Sequence, residues 1–120
     1  MRVIRIQNAR SGAFLGQRIQ LADGWWRRAR GLLGKSDLPP GSGLLLVPCA
    51  SVHTMGMRFP LDVAFLDGRG CIVETRPELS PGQVAVGGNQ VHAALELPGG
   101  TLAATDTRAG DPLILEETTQ

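Results

Sequence analysis

The sequence predicts an all-β domain, mainly antiparallel, built as a jelly-roll-like sandwich or open barrel with one short helix. Three observations lead there. Apolar residues gather in short runs, such as Leu44-Leu45-Leu46-Val47 and Leu113-Ile114-Leu115, rather than in long helical stripes. Sixteen glycines and eight prolines punctuate 120 residues, so the chain turns often and leaves little room for long helices. Only one segment carries a clear helical period, and it comes early.

Taken in order, Val3-Ile4-Arg5-Ile6 and Arg18-Ile19-Gln20-Leu21 read as strands able to pair as a hairpin across the turn region 8–16. From residue 25 to 33, at about 100° per residue, Trp25, Trp26, Ala29, Leu32 and Leu33 fall in one apolar arc. Asp23 or Gly24 stands near the cap and Gly34 follows the end. Arg28 and Arg30 flank the stripe, and Arg27 points away from it. After a loop at 36–43, the run 44–47 reads as a strand covered on both faces, ended by Pro48. Residues 61–66 and 71–76 then form a hairpin around Gly68-Arg69-Gly70, with Gly70 as the left-handed residue of the turn.

That register sets Leu66 against Ile72, Ala64 against Glu74 and Asp62 against Arg76. Val63, Phe65, Val73 and Thr75 line the other face, which is the expected core face. Residues 78–82 form a turn, 83–86 a brief strand, 93–97 a longer one, 101–107 a helical turn and 113–115 the last strand. Roughly seven or eight short strands result, and no internal repeat or low-complexity tract is present.

A chain of 120 residues suits one domain spanning 1–120. Twelve basic against eleven acidic residues leave a formal charge of +1, which provides no global field for a nucleic acid or an anionic membrane. Tyrosine is absent, so base-stacking platforms are poorly supplied. The N-terminal residues alternate apolar and charged, unlike a signal peptide, and no apolar run approaches the roughly 20 residues of a membrane span. A cytoplasmic location is expected. Cys49 and Cys71 then read as free thiols rather than a disulfide framework.

Several segments taken together resemble the DUF192 family, a group of small bacterial and archaeal domains of unknown function. They are Arg30-Gly31-Leu32-Leu33-Gly34, Gly43-Leu44-Leu45-Leu46, the stretch 53–67 (HTMGMRFPLDVAFLD), Ala94-Leu95-Glu96-Leu97-Pro98-Gly99-Gly100 and Gly110-Asp111. The resemblance implies a compact, mostly β domain of sandwich or jelly-roll type, and it supplies no reaction. Many members carry a Trp-Met-Lys-Asn-Thr type segment where this chain has His53-Thr54-Met55-Gly56-Met57, so Lys and Asn chemistry does not transfer.

Function concentrates at residues 48–67, where polar and soft side chains crowd a turn-rich segment and the strand that follows. The expected ligand-binding residues are Arg30, His53, Thr54, Met55, Met57, Arg58 and Asp62. Asp62 lies among apolar neighbours and needs a partner, for which Arg76 or Arg58 is available; so paired, it would orient Arg58 and Thr54. Arg30, at the edge of its stripe, can reach Asp62, Glu96 or a bound anion. Met55 and Met57 with Phe59 supply an adaptable apolar lining or core filling.

These features favour a small binding module for a small polar or anionic ligand or a partner segment. A hydrolase using Cys49 and His53, or a bound metal, is the rival reading, and a structural or assembly role the third. Cys49 and His53, four apart, would share a helical face, and thiolate with imidazole suits zinc. Two Cys and two His fall short of a structural zinc set, and no oxyanion-hole motif accompanies Cys49. No metal or cofactor is therefore expected, nor a nucleic-acid or membrane partner. The oligomeric state is open.

Overall fold

Strand pairing curls one sheet until its two edges meet. A computed structural model describes residues 2–23 and 38–118. Its strands are β1 (Arg2–Asn8), β2 (Phe14–Asp23), β3 (Ser42–Val47), β4 (Ser51–His53), β5 (Leu61–Leu66), β6 (Ile72–Leu79), β7 (Val84–Val86), β8 (Ala93–Pro98) and β9 (Leu113–Glu117). The described helix is α1 (Thr101–Ala104), within the expected helical turn. The helix expected over 25–33, with its Trp stripe and Arg30, lies outside the described residues.

Seven strands form the main sheet in the order β6-β5-β8-β3-β2-β1-β9, and β4 pairs with β7 in a separate ribbon. Every pairing is antiparallel except β2 with β3. The all-β expectation holds, and the sheet takes the form of a half-barrel. Its edge strands touch where Cys71 bridges Pro112: Ile72 N donates to Asp111 O at 2.9 Å and Leu113 N to Gly70 O at 3.1 Å.

Alternation along the strands gives each face its own core. Ile4, Ile6, Ile19, Leu45, Ala64, Leu66, Leu95 and Leu97 fill the inside of the curl, where Leu102 of α1 joins them. Leu44, Leu46, Val63, Phe65 and Ala94 form the outer face, covered by Val52 and Ala85 of the ribbon. Cys49, Met57 and Phe59 pack against that cover. The central strands are thus buried on both faces, which is why residues 44–47 and 61–66 read as near-continuous apolar runs.

Two expectations need correction. The β5–β6 register holds at Leu66 and Ile72, but Phe65 then opposes Glu74, Ala64 opposes Thr75 and Val63 opposes Arg76. One extra residue in β6, at Val73, makes a bulge that shifts every later pair, so Asp62 does not face Arg76. Nor is there a single core face: all six residues of β5 are buried. The turn itself is as expected, with Gly70 at φ 86°.

A buried polar knot ties the two chain ends of the sheet together. Asp111 accepts from Arg10 Nε at 2.6 Å, from Asn8 Nδ2 at 2.9 Å and from Arg108 N at 2.9 Å. The Arg10 guanidinium holds the Asp111 carboxyl far below the usual carboxylate range.

Candidate functional site

Residues 49–62 leave the end of β3, run through β4 and enter β5. Two buried side chains fasten this excursion. Thr54 is 0% exposed. Its hydroxyl donates to Ser80 O at 2.6 Å and accepts from Gln83 N at 2.8 Å. Its backbone adds bonds from Thr54 N to Gln83 O and from Met57 N and Gly82 N to Thr54 O. The loop is therefore stitched to the turn that precedes β7.

Asp62 is also 0% exposed, but it points the other way. It shares a strand face with Ala64 and Leu66, so its carboxylate enters the inside of the half-barrel, beside α1. There it accepts three backbone N–H groups: Glu78 at 2.8 Å, Gly100 at 3.1 Å and Leu102 at 2.7 Å. Glu78 and Gly100 both have left-handed backbone, with φ of 49° and 91°, so Asp62 anchors an irregular point of β6, the turn after β8 and the start of α1 together. The expected guanidinium partner is replaced by amides, and Arg76 pairs instead with Glu74. Asp62 consequently does not orient Arg58 or Thr54.

Of the remaining expected site residues, His53, Met55 and Arg58 are exposed, and Met57 is half-buried against the outer core. His53 lies directly opposite Val84 on the ribbon. Because Val52 and Ala85 face inward, His53, Val84 and Val86 present outward, the two valines being 59% and 61% exposed. Neither the His53 nor the Arg58 side chain has a hydrogen-bond or ion-pair partner among the described residues. Arg30 lies outside those residues.

Cys49 and His53 do not form a reactive pair. The segment extends into β4 instead of coiling, so the four-residue spacing does not stack the two side chains. Cys49 is half-buried and its Sγ donates to Ser51 O at 2.9 Å. Among the described residues, no three His, Cys, Asp or Glu side chains gather as a metal site.

The residue that sequence reasoning undervalued is Glu96, considered only as an ion partner for Arg30. It stands between Leu44 of β3 and Val63 of β5 on the outer face, and it is 6% exposed. No described group bonds the Glu96 carboxyl. Burial alone raises its pKa from 4.5 to about 7. Among the described residues no side-chain oxygen is both sealed and unpaired, so the carboxyl keeps a trace of solvent contact. The signal in the sequence was a single charge inside the apolar run 93–97.

The DUF192 family, described as "Uncharacterized ACR", matches residues 6–115. The chain belongs to the DUF192 family. Two solved structures share the fold of this DUF192 domain. A protein of unknown function from Novosphingobium aromaticivorans superposes with a TM-score of 0.80 at 21% identity, covering 93% of this chain and 83% of that one. A protein from Sinorhizobium meliloti, described as a "putative transcription regulator", superposes with a TM-score of 0.82 at 24% identity, covering 95% and 92%. No curated protein matches the chain. Among the described residues, no helix is long and apolar enough to cross a membrane.

Proposed function

We propose that this DUF192 domain is a small binding module that recognises a small polar or anionic ligand through residues 49–62. One observation carries the reading. Thr54 commits its polar atoms to internal bonds that hold the loop, while His53 and Arg58 are exposed without described partners. A fastened loop that displays an imidazole and a guanidinium loses little conformational freedom on binding, which favours recognition of a small anion. The site includes Met55 and Met57 as soft apolar lining, and Arg30 as a further cation. A cytoplasmic setting is part of the same proposal.

A partner segment is the second reading, and the exposed Val84 and Val86 beside His53 favour it. Titration of isotope-labelled protein with inorganic phosphate and with a short acidic peptide separates the two, read by amide shifts. Shifts confined to residues 49–62 with phosphate support the first reading, and shifts along β7 with peptide alone support the second. His53→Ala and Arg58→Ala are expected to abolish the response while moving stability by less than about 0.5 kcal/mol. Unfolding of both variants would assign these residues to structure, and silence with both probes would remove the binding reading.

A further inference from the structure

The half-barrel has two unlike ends. Leu102 of α1 fills one end, next to Asp62. At the other end, where β1 begins and β2, β3 and β5 finish, the described residues supply no such plug. A cavity of about 420 Å³ opens there, within the range typical of small-molecule sites. Its wall is apolar: Ile4, Leu21, Leu45, Val47, Leu66 and Leu115. Leu21 and Val47 are only half-buried and Leu115 is 39% exposed. Hydrocarbon held open to water forfeits about 25 cal/mol per Å² that burial would return, so this surface gains from an apolar occupant.

Charge at the rim decides what kind of occupant fits. Arg2 and Glu117 neutralise each other through paired contacts, Nε to Oε2 and Nη2 to Oε1, both at 3.1 Å. His92 contributes an imidazole. Asp67 remains. Its Oδ1 accepts from Arg69 N at 2.9 Å and from Cys71 N at 3.0 Å, which fixes the carboxylate at the cavity edge. Those two amides also hold its pKa below the usual carboxylate value, so it stays ionised. Oδ2 has no partner among the described residues. Arg69 is exposed in the same turn and does not line the cavity.

We propose that the open mouth of the half-barrel is a binding site for a small amphipathic amine, its apolar body seated among Leu21, Val47, Leu66 and Leu115 and its ammonium group on Asp67 Oδ2. The site is separate from residues 49–62 and does not depend on that reading. Apolar fill supplies affinity here, and the Asp67 carboxylate, influenced by the nearby charge of Arg69 but in no ion pair among the described residues, supplies selectivity for the head group.

Three probes of equal apolar body test it: hexylamine, hexanol and hexanoate, titrated into labelled protein. Hexylamine is expected to bind best, with amide shifts centred on Leu66, Gly68 and Ala93. Asp67→Asn keeps an oxygen acceptor for the Arg69 and Cys71 amides while removing the charge. It should weaken hexylamine about tenfold and leave hexanol unchanged, as loss of one charge-assisted bond implies. Leu115→Trp, at an exposed lining position, should block all three, and an unchanged thermal midpoint confirms that the variant folds. Equal affinity for the three head groups, retention of amine preference in Asp67→Asn, or shifts away from the mouth would each overturn the proposal.

Discussion

Two buried carboxylates on neighbouring strands, Asp62 and Glu96, follow opposite strategies. Asp62 of β5 sits inside the curl and accepts three backbone amides drawn from β6 and the start of α1. Glu96 of β8 sits on the outer face between Leu44 and Val63, with no bond from any described group. Both have lost water. Asp62 has exchanged it for fixed dipoles, whereas the Glu96 carboxyl has no bond from any described group and a raised pKa. The difference separates a residue that builds the fold from one that the fold tolerates. A tolerated buried acid marks a position where function, rather than stability, is the better account.

The sharpest way to break this contrast is to remove Asp62. Asp62→Ala leaves the amides of Glu78, Gly100 and Leu102 without their acceptor in the interior. At roughly 1–3 kcal/mol for each group so stranded, partly relieved by entering water, the loss should reach about 4 kcal/mol. Urea unfolding reads it directly. Asp62→Asn retains one acceptor oxygen and should fall between alanine and wild type. A loss below about 1 kcal/mol in the alanine variant would show that the three bonds do not organise α1 and its neighbouring turn.

Glu96 predicts a smaller effect, of opposite sign and tied to pH. Its folded pKa lies above its ordinary value of 4.5, near 7. The stability it permits is fully present below pH 4.5, falls as pH rises through about 7, and is then lost. That displacement corresponds to roughly 3 kcal/mol between the two limits. Stability of wild type measured against Glu96→Gln from pH 4 to 9 isolates this group from every other titration. The glutamine curve should cross the wild-type curve and lie above it at high pH. Parallel curves would mean that the carboxyl has a partner and that the contrast with Asp62 is false.

Much of the fold was legible in the sequence. The run 44–47 announced a strand buried on both faces, 61–66 announced a strand but not its burial on both faces, and the Gly70 turn was placed correctly. The residues that organise the site were less visible, for physical reasons. Asp62 finds its partners 16 to 40 positions away, and they are backbone amides, which carry no side-chain identity to read. Arg10 and Asp111 meet across 101 positions. The bulge at Val73 adds one residue with no local mark in sequence, and it defeated the expected pairing of Asp62 with Arg76. β4 was hidden because exposed Ser51 and His53 flank a single buried Val52, too short a pattern to announce a strand.

Thr54 offers the mildest test, and it extends the comparison from charged to neutral groups. Like Asp62 it is sealed and satisfied, with its hydroxyl between Ser80 O and Gln83 N. Thr54→Val preserves shape and removes only the hydroxyl, leaving the Gln83 amide short of an acceptor. A neutral bond of this kind should cost about 1–2 kcal/mol, at most half the Asp62→Ala loss, with Thr54→Ser recovering most of it. Because the hydroxyl joins the 49–62 loop to the turn before β7, its loss should also raise hydrogen exchange at Met57 and Gly82, whose amides bond to Thr54 O. Exchange at Leu66 and Ala94, deep in the sheet, should follow only the small global change. If protection fell uniformly instead, the loop would belong to the same cooperative unit as the half-barrel, and its exposed His53 and Arg58 would ride on a surface as rigid as the core.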